Sequence, residues 1–139
     1  MMKETLQQMM ANVPTPISRA HVEEVVATYF DTHRTLDFER RAKLFADDVV
    51  AEEPVGGPPM VGKAALVAFW KAGHEAGWRS TLQLEQIVMG GSEALVIFNA
   101  KLSTDKLGSA NLKVYENLAF DSNGKIRRLR AFNDGGCIS

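Results

Sequence analysis

The hydrophobic period of this chain changes for good at Trp78. Before that residue, apolar side chains recur mainly at three- and four-residue spacing; after it they alternate. One face of a helix repeats every three to four residues and one face of a strand every two. Helices first and long alternating strands afterwards predict an α+β domain, with three N-terminal helices on one face of a curved, mostly antiparallel sheet. A chain of 139 residues makes one domain with room for a sizeable core. The expected division is a flexible arm over 1–14, the domain over 15–135 and a tail over 136–139.

Met1 to Val13 carry methionines and amides without a clear apolar face and are expected to form a loose arm. Thr15-Pro16 offers an N-cap followed by proline at the first helical position. From there Val22, Val25, Val26, Tyr29, Phe30 and His33 form the apolar stripe of an amphipathic helix. Tyr29 lies on that stripe, so its hydroxyl is either satisfied within the core or part of a site. Asp37 caps a second helix running through Phe45. Gly62-Lys63 opens a third, Ala64 to His74, which packs through Leu66, Phe69, Trp70 and Gly73.

Between the second and third helices, Val49-Val50-Ala51-Glu52-Glu53 is β-branched and apolar enough for a strand, and the Pro/Gly cluster from Pro54 ends it. Alternation puts Val49, Ala51 and Glu53 on one face and Val50 and Glu52 on the other. Glu53 therefore stands in line with apolar neighbours beside a loop. A carboxylate placed there is partly desolvated yet reachable, which suits a general base; the plainer alternative is a pair of solvated glutamates.

After Trp78, Leu82, Leu84 and Ile87 to Met89 read as a strand, Gly90-Gly91-Ser92 as a turn, and Ala94 to Leu102 as the returning strand. Leu112, Val114, Glu116, Leu118 and Phe120 share one face of the next strand. Asp121 to Lys125 turns the chain into a last strand, Ile126 to Asn133. Four of the five positions on the Glu116 face are apolar, so the period places a carboxyl inside the core, and no lysine or arginine shares that face. Either the strand bulges and lets Glu116 reach water, or burial keeps the acid protonated and able to donate a hydrogen bond.

The formal net charge of −1 gives no electrostatic footprint for nucleic acid or an anionic membrane. The longest apolar run, Ala64 to Trp70, is too short to span a bilayer, and no signal peptide is visible. The lone Cys137 permits no internal disulfide and fits a reducing cytoplasm. His21, His33 and His74 have no metal-site spacing and are expected on the surface or on helix faces.

These residues resemble the steroid Δ5-3-ketosteroid isomerases and their SnoaL-like, nuclear-transport-factor-like superfamily of cone-shaped α+β domains with one pocket. The most specific stretch is Leu44-Phe-Ala-Asp-Asp-Val-Val-Ala-Glu-Glu-Pro-Val-Gly56; Gly62-Lys-Ala-Ala-Leu-Val-Ala-Phe69 is common across the superfamily. The resemblance implies that Glu53, directly before Pro54, stands at the position of the catalytic base. It puts Tyr29, sixteen residues before Phe45, at the oxyanion tyrosine, and Glu116 at the protonated acid that is the second donor. An ionised base beside a neutral carboxylic acid is the arrangement known of these isomerases.

The resemblance further implies a cofactor-free reaction without a metal, a small hydrophobic ketone or steroid-like ligand, and a homodimer. Phe69, Trp70, Phe98, Ala100, Leu102, Leu118 and Asn133 are expected to line the substrate pocket. Both acids are glutamates where the isomerases carry aspartates, which moves each carboxyl by about 1 Å or more. Trp70 replaces a tyrosine that supports the oxyanion tyrosine, and Asn133 an aromatic wall residue. A cyclase using the same pocket and a non-catalytic ligand-binding module are the alternatives; a histidine base would favour the cyclase.

Overall fold

The computed structural model describes all 139 residues. Helix α1 (Met2–Ala11) is followed by α2 (Arg19–Thr35), α3 (Phe38–Ala42) and strand β1 (Phe45–Glu52). The short β2 (Met60–Val61) leads into α4 (Lys63–Glu75), and then come β3 (Arg79–Gly90), β4 (Glu93–Thr104), β5 (Gly108–Phe120) and β6 (Ile126–Phe132). One six-stranded sheet runs in the order β2-β1-β6-β5-β4-β3. Its pairings are antiparallel except β1 with β6, which is parallel.

Several local expectations are corrected. Met2–Ala11 is helical rather than a loose arm, although none of its residues is buried. Ser18, not Thr15, caps α2, its hydroxyl accepting from the backbone N–H of His21. Asp37 does cap α3, but that helix stops at Ala42, and Phe45 begins β1 instead of ending a helix. The last strand ends at Phe132, one residue before Asn133.

Helix α2 packs against β3 and α4 against β1, so the helices cover the sheet's inner face. Val22, Val25, Val26 and Tyr29 of α2 are buried against Val96, Phe98, Val114 and Leu129. In β3 a bulge lets Leu84 face Phe98 and Gln86 face Ile97, with Glu85 as the extra residue. The inward set therefore shifts from Leu82 and Leu84 to Ile87 and Met89, and the sheet bends there. No bulge interrupts β5 at Glu116, which sits in register between Val96 of β4 and Ala131 of β6. No helix is long and apolar enough to cross a membrane.

Candidate active site

Strand β6 brings the three singled-out residues towards one place. Glu116 faces Ala131 across the ladder, and the Ala131 carbonyl accepts from the backbone N–H of Val55 at 2.9 Å. Glu52 is in register with Arg130. The segment Glu53-Pro54, joined by a cis peptide, is thus held between two anchor points on β6, next to the residue that pairs with Glu116. Tyr29 reaches the same region from α2. Tyr29, Glu53 and Glu116 all line a cavity of about 340 Å³ whose remaining wall is mainly apolar.

Of the residues expected to line the substrate pocket, Phe69, Phe98, Ala100, Leu102 and Asn133 border this inner chamber. Leu118 does not. It shares the inner face of β5 with Glu116 but lies further along the strand, in register with Ala94 and Leu129, and is only 3% exposed in the core. Trp70 is not in the inner chamber either. It borders a second, outer chamber of about 410 Å³, which shares His33, Glu53, Phe69, Ser80 and Leu102 with the inner one. The single expected pocket is therefore two chambers with a common wall. Phe69, expected to pack into the core, is 45% exposed because it stands on that common wall.

Glu116 is 4% exposed, and its Oε1 is buried without a hydrogen-bond partner in the protein. Burial, and then the charge of Glu53, push its carboxyl well above the ordinary range. Glu53 is raised to about 7: burial dominates, while the charge of Arg41 and a hydrogen bond with Tyr29 pull the other way. The Tyr29 phenol is raised well above 10.0, first by burial and then by the charges of Glu116 and Glu53. Tyr29 and Glu116 are thus both pushed towards their protonated forms, beside a carboxyl that ionises near neutrality.

Two histidines, expected on the surface or on helix faces, line the chambers. His33 stacks on Tyr29 with ring centroids 4.6 Å apart, and its Nδ1 lies 2.7 Å from the Tyr29 carbonyl. A carbonyl only accepts, so Nδ1 carries the proton and Nε2 keeps its lone pair. Burial, helped by the charge of Arg41, lowers the His33 pKa to about 4, so the ring is neutral. His74 lines the outer chamber with a buried Nδ1 that has no partner.

Arg41 was not singled out by the sequence. It is 3% exposed, donates from Nε and Nη2 to Thr32, and stacks over Trp70 with Cζ 4.7 Å from the ring centroid. Its sequence signal is faint: an arginine one residue before the apolar Ala42 in a short helix. No group of three or more His, Cys, Asp or Glu side chains is placed to hold a metal ion.

Residues 26–129 match the family described as the SnoaL-like domain. A steroid Δ-isomerase of Nocardioides simplex is 30% identical over 115 residues, covering 81% of this chain and 89% of that protein. This chain belongs to the SnoaL-like family. Among solved structures, the Δ5-3-ketosteroid isomerase from Mycobacterium sp. superposes with a TM-score of 0.75 at 22% identity, covering 86% of this chain and 97% of that one. The epoxide hydrolase/cyclase-like enzyme SalBIII, of salinomycin pyran ring formation, superposes with a TM-score of 0.75 at 21% identity, covering 84% and 93%. Isomerases, cyclases and hydrolases thus share this fold, and the SnoaL-like family supports an enzyme here without fixing the reaction.

Proposed function

We propose that the protein is a cofactor-free isomerase that moves the double bond of a β,γ-unsaturated ketone, steroidal or similarly cyclic, into conjugation. Ionised Glu53 takes the proton α to the carbonyl, and the electron pair moves onto the carbonyl oxygen to give a dienolate. Tyr29 and neutral Glu116 donate hydrogen bonds to that oxygen. Protonated Glu53 then returns the proton at the γ carbon, so atoms and charge balance without an external donor.

The observation that carries this reading is Glu116. A carboxyl buried between Val96 and Ala131, with an unpaired oxygen and no cation bonded to it, has its natural use as a neutral donor into the chamber. The test is conjugation of a β,γ-unsaturated cyclic ketone followed by ultraviolet absorbance. Glu53→Gln keeps size and polarity but cannot accept the proton, so turnover should vanish while a phenol, a mimic of the dienolate, still binds. Equal turnover of wild type and Glu53→Gln would end the proposal.

A second reading rests on His33. The residue lines both chambers, and its Nε2 lone pair is available as the base of a cyclase closing a ring by intramolecular aldol addition. With a pKa of about 4 the ring is a weaker base than Glu53, which places this reading second. Loss of activity in His33→Asn but not in Glu53→Gln would reverse the order.

The ligand is taken to be a small hydrophobic ketone and the working form a homodimer joined through the outer sheet face. There Val88, Leu95, Ile97, Tyr115 and Phe132 fall in adjoining ladder rows across four strands. A sheet covered on one face by helices normally presents a polar outer face, so this apolar cluster supports a partner.

A further inference from the structure

The two chambers carry opposite chemistry. The inner one holds Tyr29, Glu53 and Glu116 and no cationic side chain. The outer one is walled by the two arginines Arg41 and Arg79, and Glu53 on the common wall is its single carboxylate.

Arg41 is the unusual group. Arginine is almost never fully buried unless paired, yet Arg41 joins none of the protein's ion pairs. The faces of Trp70, Phe38 and Tyr29, at 4.7, 5.2 and 5.9 Å, offset part of the cost of its charge. Aromatic faces accept no strong hydrogen bond, however, and Thr32 takes only Nε and Nη2. Nη1 has no partner within the protein. Arg79 stands further along the same wall, Nη1 held by the carbonyls of His74 and Trp78 at 3.2 and 2.7 Å, with the rest of its guanidinium unbonded. Trp70 Nε1 and His74 Nδ1 are two more polar atoms of this wall that are buried without partners.

We propose that the outer chamber is a carboxylate-binding subsite, and that the ligand is a hydrophobic ketone bearing a carboxylate on an arm. The orientation rests on the isomerase reading: the ketone enters the inner chamber and the arm crosses the common wall to Arg41. A planar guanidinium with a free edge suits the planar carboxylate. A second arginine at the rim steers the anion in, while Glu53 on the common wall repels it from the inner chamber and so fixes the direction of entry. The discrimination is against the neutral analogue, which cannot form the charge-assisted pair with that guanidinium edge.

The experiment measures binding of para-hydroxyphenyl alkanoic acids of increasing chain length, each beside its uncharged methyl amide, by calorimetry at neutral pH. At one arm length the acid should bind at least about tenfold more tightly than the amide, as expected for a charge-assisted pair. That gap should shrink in Arg41→Gln and in Arg79→Gln, and fall with added salt. Acids and amides of equal affinity at every length in the wild type would overturn the proposal, and this comparison stands even where Arg41→Gln fails to fold. Unsubstituted phenol separates the two readings. If phenol binding is insensitive to Glu116→Leu while acids still outbind amides, the isomerase reading fails and the subsite stands. If phenol binds through Glu116 and the acids gain nothing, only the subsite falls.

Discussion

The guanidinium of Arg41 holds down the carboxyl of Glu53 without forming an ion pair with it. Burial drives Glu53 up to about 7, and the Arg41 charge is the largest influence opposing that rise. Under the proposed mechanism, a carboxyl tuned in this way is ionised enough to act at neutral pH and basic enough to take a carbon-bound proton.

The first prediction concerns the pH profile. For the isomerisation, kcat/KM should rise with pH as Glu53 ionises, with a midpoint near the value of about 7. It should fall again at higher pH, where Glu116, raised well above its ordinary range, loses the proton it donates. Arg41→Gln removes the cation that favours the carboxylate, so the acid limb should move to higher pH. A limb that stays in place or moves down contradicts the assignment of Glu53 as the base under the field of Arg41.

Stability should carry the same signature. Glu53 binds its proton more tightly folded, at about 7, than at its ordinary value of 4.5. Its contribution is therefore fully present below about 4.5 and is lost as pH rises through about 7. Glu53→Gln escapes that loss. Above this window the variant should be more stable than wild type by on the order of 3 kcal/mol, and the difference should close in acid. His33 acts in the opposite sense, favouring the folded state above its ordinary 6.5 and losing that as pH falls through about 4, but it is common to both proteins. Paired urea denaturations across pH measure the difference; a gap that is widest in acid contradicts it.

Glu116 can be tested by donor replacement. Glu116→Gln keeps an N–H able to point at the ligand, whereas Glu116→Leu removes every donor among apolar neighbours. Phenol affinity should fall about tenfold or more in Glu116→Leu, the loss expected for a buried hydrogen bond to a charged or nearly charged oxygen, and much less in Glu116→Gln. Both should fold, because the position is flanked by Val96 and Ala131. Equal affinity for wild type and Glu116→Leu would remove Glu116 from the site.

What could be seen in the sequence follows from what is local. Glu116 was visible because strand parity over Leu112 to Phe120 leaves a single carboxyl among apolar residues, and the ladder is regular through Leu118; the one shift against β6 falls beyond it, between Ala119 and Phe120. Leu118 was misjudged because parity gives a face but not the depth along it. Arg41 was not visible: its burial depends on Thr32 of α2 and Trp70 of α4 closing around α3. The parallel pairing of β1 with β6 joins segments some eighty residues apart, as in Ala51 with Leu129, and no local pattern encodes it. Helix α1 formed where no apolar face predicted one, and the structure buries none of it.

The outer sheet face yields a prediction about assembly. Ile97, Tyr115 and Phe132 lie in one ladder row and Val88 and Leu95 in the next. Leu95→Lys places a charge in the centre of this patch, where it would be desolvated against the same patch on a second copy. Sedimentation velocity should show a dimer for wild type at micromolar concentration and a shift to monomer for Leu95→Lys. A wild type that is strictly monomeric there rejects the pairing.

The last prediction uses the neighbouring glutamates against each other. Glu53 lines both chambers, while Glu52 points to the other strand face and pairs with Arg130, Nε to Oε1 at 3.0 Å. Both side chains of that pair are partly solvated, so Glu52→Gln should cost about 1 kcal/mol of stability or less and leave turnover unchanged. Glu53→Asp keeps the base but withdraws the carboxyl by about 1 Å. Misplacement of that size can change a rate by about 100-fold, and the direction tells where the substrate sits. If the ketone is held deep, against Tyr29 and Glu116, the longer glutamate is required and Glu53→Asp loses activity. If the ketone is held near Pro54, aspartate is the better fit and turnover rises. In both cases Glu53→Asp retains measurable conjugation of the test ketone while Glu53→Gln has none. A dead Glu52→Gln beside an active Glu53→Gln would exchange the roles of the two glutamates and place the reacting carboxyl on the outer face of β1.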